Sequence, residues 1–173
     1  MGANLASYAG APPDTLSAAL VKLADLGHIV ARSSLYKTVP IGFTDQPQFV
    51  NAVVALETNL DAPALLGQLL GIEKKFGRDR SLGIPNGPRT LDLDILLLDD
   101  LKISEPGLEL PHPRIAERAF VLIPLGEIAP NLRLPGHEKT VAELIQVFEN
   151  RSEGGADGVE RMESARWRPA PLA

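Results

Sequence analysis

An α+β fold is predicted by the order of the periodic segments: helix, strand, strand, helix, strand. That order is most of a ferredoxin-like βαββαβ sandwich, with extra C-terminal helices and a hairpin beyond it. Three observations carry it. Leu16, Leu20, Leu23 and Ala24 recur at helical spacing, as do Leu65, Leu66, Leu69, Leu70, Ile72 and Phe76. Val50, Ala52, Val54 and Leu56 share one face of an extended run. Leu91 and Leu93 alternate with Asp92 and Asp94 ahead of a continuous apolar stretch, Ile95 to Leu98. The first strand of such a unit belongs before Gly2, where only Met1 stands. It is therefore expected to be missing from this chain, and the natural chain to start upstream.

The elements follow in order. Met1 to Pro13 is small, polar and glycine-rich. Asp14 is placed to cap the first helix, which ends at Gly27. Ile29 to Tyr36 reads as a strand, and Thr38 to Pro47 as a loop rich in turn formers. Phe49 to Glu57 reads as a second strand, with Phe49 and Asn51 on the face opposite Val50. Asp61 caps a second helix that tolerates Pro63 in its first turn and stops at Gly77, with Glu73 near its end. The next strand spans about Thr90 to Leu98, and Asp99-Asp100 turns it into a short partner strand at Leu101 to Ile103. Pro111-His112-Pro113 leads into a helical region from Ile115 to Leu125, interrupted at Pro124. Thr140 to Glu143 matches a capping box for a last helix through about Phe148. Residues 1–150 form one domain; residues 151–173 are a poorly ordered or loosely packed arm, of which Gly158 to Trp167 can pack back.

At 173 residues the chain suffices for one well-cored domain and some tail. A hydrophobic fraction of 45% with ordinary charge content describes a soluble globular protein rather than a disordered one. A net charge of −5 argues against general nucleic-acid binding, though a local basic patch for one small anion is compatible with it. Without cysteine there is no disulfide framework and no thiol chemistry. No apolar run approaches the ~20 residues of a membrane span, and no signal peptide opens the chain. The expected location is the cytoplasm.

The run Gly87-Pro88-Arg89-Thr90-Leu91-Asp92-Leu93-Asp94-Ile95 is the most informative. An extended strand rises roughly 3.3 Å per residue, which puts the two carboxylates about 6–7 Å apart at their roots. They can share one divalent cation or hold two side by side. A solvated face, or pairing with nearby arginines, is the simpler reading of Asp-Leu-Asp alone. Aspartates are poor strand formers, so two of them leading into a buried strand carry a cost that needs a reason. Arg78, Arg80 and Arg89 flank the motif, and Gly83, Pro85, Gly87 and Pro88 build a loop between them. Carboxylates for metal beside guanidiniums for phosphate oxygens point to a magnesium–polyphosphate site.

Further words line up with this one: Gly2-Ala3-Asn4-Leu5, Ser33-Ser34-Leu35-Tyr36-Lys37-Thr38 and Gln46-Pro47-Gln48-Phe49-Val50-Asn51 before it. Leu110-Pro111-His112-Pro113-Arg114 and Glu117-Arg118-Ala119-Phe120-Val121-Leu122 come after it. Together, and in this order, they resemble the 6-hydroxymethyl-7,8-dihydropterin pyrophosphokinase family, from Gly2 to about Phe148. The resemblance implies transfer of the terminal two phosphates of ATP to the pterin hydroxymethyl oxygen, with release of AMP, in folate biosynthesis. It implies two magnesium ions held by Asp92 and Asp94, and catalytic roles for Arg80 and Arg89 beside them. Glu73, Arg80, Ile95, His112 and Arg118 would bind the nucleotide. Thr38, Ile41, Phe49, Asn51 and Phe120 would bind the pterin, and residues 81–86 would form a mobile lid. The implied protein is a monomer acting on small molecules, with neither nucleic acid nor membrane as partner.

Residue by residue, simpler readings stand beside these. His112 can merely cap a turn between its prolines, Glu73 can be an exposed helix residue, and Phe120 can be plain core. The chain also departs from the family pattern. Asn86 stands where tryptophan is common, so closure of the lid is expected to be weaker or differently built. Phe49 stands where tyrosine is common, and Val39 where proline is. A catalytically silent ferredoxin-like binding module is the competing reading; failure to bind ATP with magnesium would favour it.

Overall fold

Both long extended runs break in the middle, and the breaks build the architecture. In the computed structural model, which describes residues 1–80, 84–151 and 158–170, the first run divides into β2 (His28–Arg32) and β3 (Leu35–Thr38). The second divides into β4 (Phe49–Asn51) and β5 (Val54–Glu57). β3 and β4 pair with each other in one sheet, β2 and β5 in another, all antiparallel. Ser33 makes the corner: its N–H donates to Val53 O at 2.9 Å and its hydroxyl accepts from Val53 N at 3.0 Å. No backbone group is orphaned where the strands part. The alternation survives the break, because Val50, Ala52, Val54 and Leu56 all face one core cluster while Val53 and Ala55 face another.

The four-stranded sheet runs β1-β4-β3-β8, with β1 at Gly2–Ala3 and β8 at Val159–Met162. β1 occupies the inner position that the sequence reading assigned to residues before Gly2. It pairs with Val50 and Asn51 on one side, and Gly2 exchanges backbone bonds with Asp92 on the other, at 2.9 and 2.7 Å. That two-residue neighbour is the reason Thr90 to Leu98 is not a regular strand. Only Asp92 forms a bridge, and the remainder belongs to no ladder.

α1 (Pro12–Ala24) starts one turn earlier than Asp14 implied. Pro12 and Pro13 suit a first turn, and Asp14 lies inside it, paired with Arg166 at 3.0 Å instead of capping. α2 (Ala62–Lys75) begins as expected, with Asp61 Oδ1 accepting the Ala64 N–H at 2.8 Å. The short strand expected at Leu101 to Ile103 lies instead at β6 (Ile103–Glu105), and its partner is β7 (Leu108–Leu110) rather than the aspartate segment. Gly107, at φ 85°, makes the tight hairpin turn that pairs those two. The third helix, α3 (Ala119–Ile128), starts four residues later than expected and runs through Pro124. Its nearly uniform apolar character buries Val121, Leu122, Leu125 and Ile128, and that packing outweighs the lost N–H. α4 (Val141–Arg151) opens on the capping box, with Thr140 N donating to Glu143 Oε2 at 2.7 Å.

One core cluster gathers α1, α2, β4, Leu91 and Leu93, and a second gathers α3 and α4 over Ala31 and Val53. Trp167 closes the first cluster, 4% exposed, with its indole N–H donated to Ser33 O at 2.7 Å. Of the expected C-terminal arm, residues 152–157 and 171–173 lie outside the described residues. Among the described residues no helix is long and apolar enough to cross a membrane.

Candidate active site

Leu91 and Leu93 anchor the aspartate segment because their side chains are buried, 0% and 3% exposed. The intervening Asp92 and Asp94 are thereby turned the other way, into a cleft of ≈ 790 Å³. Asp92 does not stand alone there. Arg78 Nη1 lies 2.5 Å from its Oδ1, Arg89 Nη1 lies 2.5 Å from its Oδ2, and Arg80 is 3.9 Å away. Arg78 also donates to Leu91 O at 3.0 Å, so it is held at both the carboxylate and the strand. Asp94 is exposed at the cleft wall.

Beneath them Glu73 is 1% exposed. It does not line the cleft, contrary to the nucleotide-contacting position expected of it. Its carboxylate is consumed from the protein side: Leu93 N–H donates to it at 2.8 Å, and Arg80 donates twice, both at 2.9 Å. Burial pushes the Glu73 carboxyl up, while the Leu93 N–H and the Arg78 and Arg80 guanidiniums pull it back.

Every other expected site residue lines the one cleft: Arg80, Arg89, Asp92, Asp94, Ile95, His112 and Arg118, with Thr38, Ile41, Phe49, Asn51 and Phe120. Asn51 Nδ2 donates to Thr38 Oγ1 at 2.7 Å across the β3–β4 pair. A carbonyl and a hydroxyl hydrogen thereby remain to meet a heterocycle edge. Gly2 is what lets Asn51 sit there, since a Cβ at that position would lie 2.5 Å from Asn51 Oδ1. Arg89 stacks over Phe49 at 5.1 Å and Arg118 over Phe120 at 5.5 Å, so each aromatic wall has a cation behind it. His112 Nδ1 accepts the Arg114 N–H at 3.1 Å, which assigns the ring proton to Nε2. Burial holds the imidazole below its ordinary pKa against the pull of Asp94, so it is neutral at pH 7. Arg118 is lowered by burial and by Arg114, yet a guanidinium stays charged at neutral pH.

Sequence reading did not single out Arg78, Asn4 or Gln46 as site residues. Arg78 was visible only as one of several flanking arginines. Asn4 accepts the Arg89 N–H at 2.7 Å and donates to Gln46 Oε1 and Pro47 O, both at 2.9 Å. Gln46 in turn donates to Phe43 O at 2.6 Å and Asn86 O at 2.7 Å. These contacts join three loops that are far apart in sequence. The expected lid falls partly on residues 81–83, outside the described residues. Asn86 adopts φ 57°, a conformation asparagine tolerates better than bulky residues do, and it lines the cleft. Val39, in place of a proline, retains an N–H, and it donates this to Gly158 O at 3.0 Å.

The donor set fits magnesium. Asp92 and Asp94 offer hard carboxylate oxygens on one side of the segment, and no cluster of three or more His, Cys, Asp or Glu occurs among the described residues. Magnesium takes one or two carboxylates plus water and phosphate oxygens in such sites. A chelating protein cage is not required.

Comparison with known proteins agrees with this chemistry. The profile of the 7,8-dihydro-6-hydroxymethylpterin-pyrophosphokinase (HPPK) family matches residues 1–130. The chain belongs to this family. Relatives named 2-amino-4-hydroxy-6-hydroxymethyldihydropteridine pyrophosphokinase include one from Pseudomonas aeruginosa, 47% identical over 137 residues, covering 78% of this chain and 81% of the relative. Another, from Haemophilus influenzae, is 42% identical over 150 residues, covering 86% and 89%. A third, from Bacillus subtilis, is 41% identical over 133 residues, covering 76% and 77%. Among solved structures, Plasmodium falciparum HPPK-DHPS superposes with a TM-score of 0.68 at 16% identity, over 92% of this chain and 45% of that one. That likeness shows the shared fold.

Proposed function

We propose that this protein transfers pyrophosphate from ATP to 6-hydroxymethyl-7,8-dihydropterin and releases AMP, a step of folate biosynthesis. The observation that carries this reading is the mixed lining of one cleft. It brings Asp92, Asp94, Arg78 and Arg89 together with Thr38, Asn51, Phe49 and Phe120. The first group suits a polyphosphate and the second a flat heterocycle with donors and acceptors on its rim.

In the reaction the pterin hydroxymethyl oxygen attacks the β-phosphorus and gives up its proton to solvent, an O–P bond forms, and the bond from that phosphorus to the α-phosphate oxygen breaks. The protein's part is to place the two substrates in line and to balance the charge that grows on AMP. Arg89 and Arg80 face the phosphates, and Arg118 and the Nε2–H of neutral His112 offer further donors for the nucleotide, against the apolar support of Ile95. Thr38 and Asn51 read the pterin edge, while Phe120, Phe49 and Ile41 cover its faces. Glu73 acts from below by fixing Arg80 and Leu93. Asp92 and Asp94 would hold magnesium, as two ions, which would supply neutralising charge for the polyphosphate. The sheet and its covering helices are read as a ferredoxin-like core in which β1 and the Asp92 segment are neighbours. Residues 1–150 make up the catalytic domain of a cytoplasmic monomer, and residues 151–173 are the arm attached to it.

The test is product identity. Incubation with ATP, magnesium and the hydroxymethyl dihydropterin should yield AMP and pterin pyrophosphate in equal amounts, and a chelator should stop both. Release of ADP, or nucleotide binding without AMP, would overturn the reading and favour a silent binding module.

A further inference from the structure

The strand that carries Thr38 has a second neighbour, supplied from beyond the part of the chain that the family profile matches. β8 pairs with β3 in the register Leu35↔Met162, Tyr36↔Arg161, Lys37↔Glu160 and Thr38↔Val159. The ladder ends at the residue whose hydroxyl accepts from Asn51 in the cleft. One step further, the Val39 N–H donates to Gly158 O at 3.0 Å, and Val39 itself lines the cleft. Gly158 sits at φ 82°, and a Cβ there would lie 2.6 Å from Val39 Cγ2. The fit of the arm against the cleft lip therefore requires glycine.

Across the Ser33 corner the same arm also holds the end of β2. Arg32 and Ala170 exchange backbone bonds at 2.7 and 2.8 Å, and the Trp167 indole holds Ser33 O. Between these fixed ends Arg161 reaches Glu127 of α3 at 3.7 Å. The arm thus pairs antiparallel with β3 from Leu35 to Thr38 and meets Arg32 again in a separate antiparallel bridge. Without it β3 would be an edge strand, its outward backbone groups unpaired.

We propose that the C-terminal arm, through the Gly158–Val39 contact and the β8 ladder, is a positioning element for the pterin end of the cleft. It sets the Thr38–Val39 backbone and thereby the Thr38–Asn51 pair. This rests on the pyrophosphokinase reading for the identity of the ligand, but the structural dependence does not.

Two substitutions test it from opposite sides of the contact. Val39→Pro removes the donor, and Val39→Ala keeps it and controls for the lost side chain. Gly158→Val changes the identity of no cleft residue and forces the arm away. The expected result is a rise of about fivefold in KM for the pterin in Val39→Pro and Gly158→Val, the weight of one hydrogen bond. The rise in Val39→Ala should be smaller, KM for ATP should hold, and amide exchange at Thr38 and Val39 should quicken in Gly158→Val. An unchanged pterin KM, or equal rises for both substrates with a lowered Tm, would overturn the proposal. If the wild-type protein transfers no pyrophosphate, the catalytic reading fails on its own. Exchange at Thr38 and Val39 then still decides whether the arm holds this strand end, and unchanged protection in Gly158→Val overturns it.

Discussion

The Glu73 carboxylate accepts the Leu93 N–H at 2.8 Å, in the middle of Asp92-Leu93-Asp94. One buried acid in a helix thus fixes the backbone between the two acids that face the cleft, and its other contacts fix Arg80. Glu73→Ala should strip a buried N–H of its acceptor and leave Arg80 unpaired, at a cost of about 2–4 kcal/mol. Glu73→Gln keeps an acceptor for Leu93 and should lose less. Denaturant midpoints of the two variants check the order.

Asp92 and Asp94 should separate stability from activity. Asp94 is exposed, so Asp94→Asn should shift stability by no more than about 0.5 kcal/mol while lowering turnover on the order of 100-fold or more. Asp92→Asn loses the same function and also unbalances Arg78 and Arg89, each 2.5 Å from its carboxylate. Its Tm should fall where that of Asp94→Asn does not. Equal Tm values would contradict the arginine clamp.

The Tyr36 hydroxyl donates to Glu127 at 2.9 Å, and burial, then this bond to a carboxylate, pushes its pKa up to about 12. The unfolded chain releases that proton near its ordinary value of 10, while the folded chain keeps it. Between pH 10 and 12 the unfolded state therefore binds fewer protons, and stability falls as pH rises. Below pH 10 the contribution is complete. Tyr36→Phe should flatten this part of the stability curve measured in urea.

His112 titrates in the opposite sense. Its folded pKa lies below 6.5, so on acidification the unfolded chain takes up the proton first and stability declines. His112→Asn should lose less stability between pH 7 and pH 5 than the wild type does. Denaturant midpoints at the two pH values measure the difference.

Gly2 underlies the Thr38–Asn51 pair. In Gly2→Ala the added Cβ meets Asn51 Oδ1, and relief requires Asn51 to turn away from Thr38. Pterin affinity should drop by about fivefold, one hydrogen bond's worth, with nucleotide affinity kept, as titration calorimetry would show.

Local chemistry alone determined much of this protein. Asp61 as a cap, the Thr140–Glu143 box, the helical spacing of Leu65, Leu69 and Ile72, and the two faces of Leu91-Asp92-Leu93-Asp94 depend on residues a few positions apart. Those patterns act through bonds the segment makes with itself or with one buried side, so they are legible before any fold exists. What needed tertiary structure is whatever depends on a partner distant in the chain. The two extended runs break because Ser33 and Val53 turn their corner together, 20 residues apart. The aspartate segment lacks a ladder because its neighbour β1 is two residues long. Glu73 is an inward support because Leu93 and Arg80 arrive to occupy it, and helical spacing alone could not say which face they would cover. Likewise the arm beyond residue 157 becomes a strand only because β3 offers it an open edge, a relationship that no local pattern of Val159 to Met162 records.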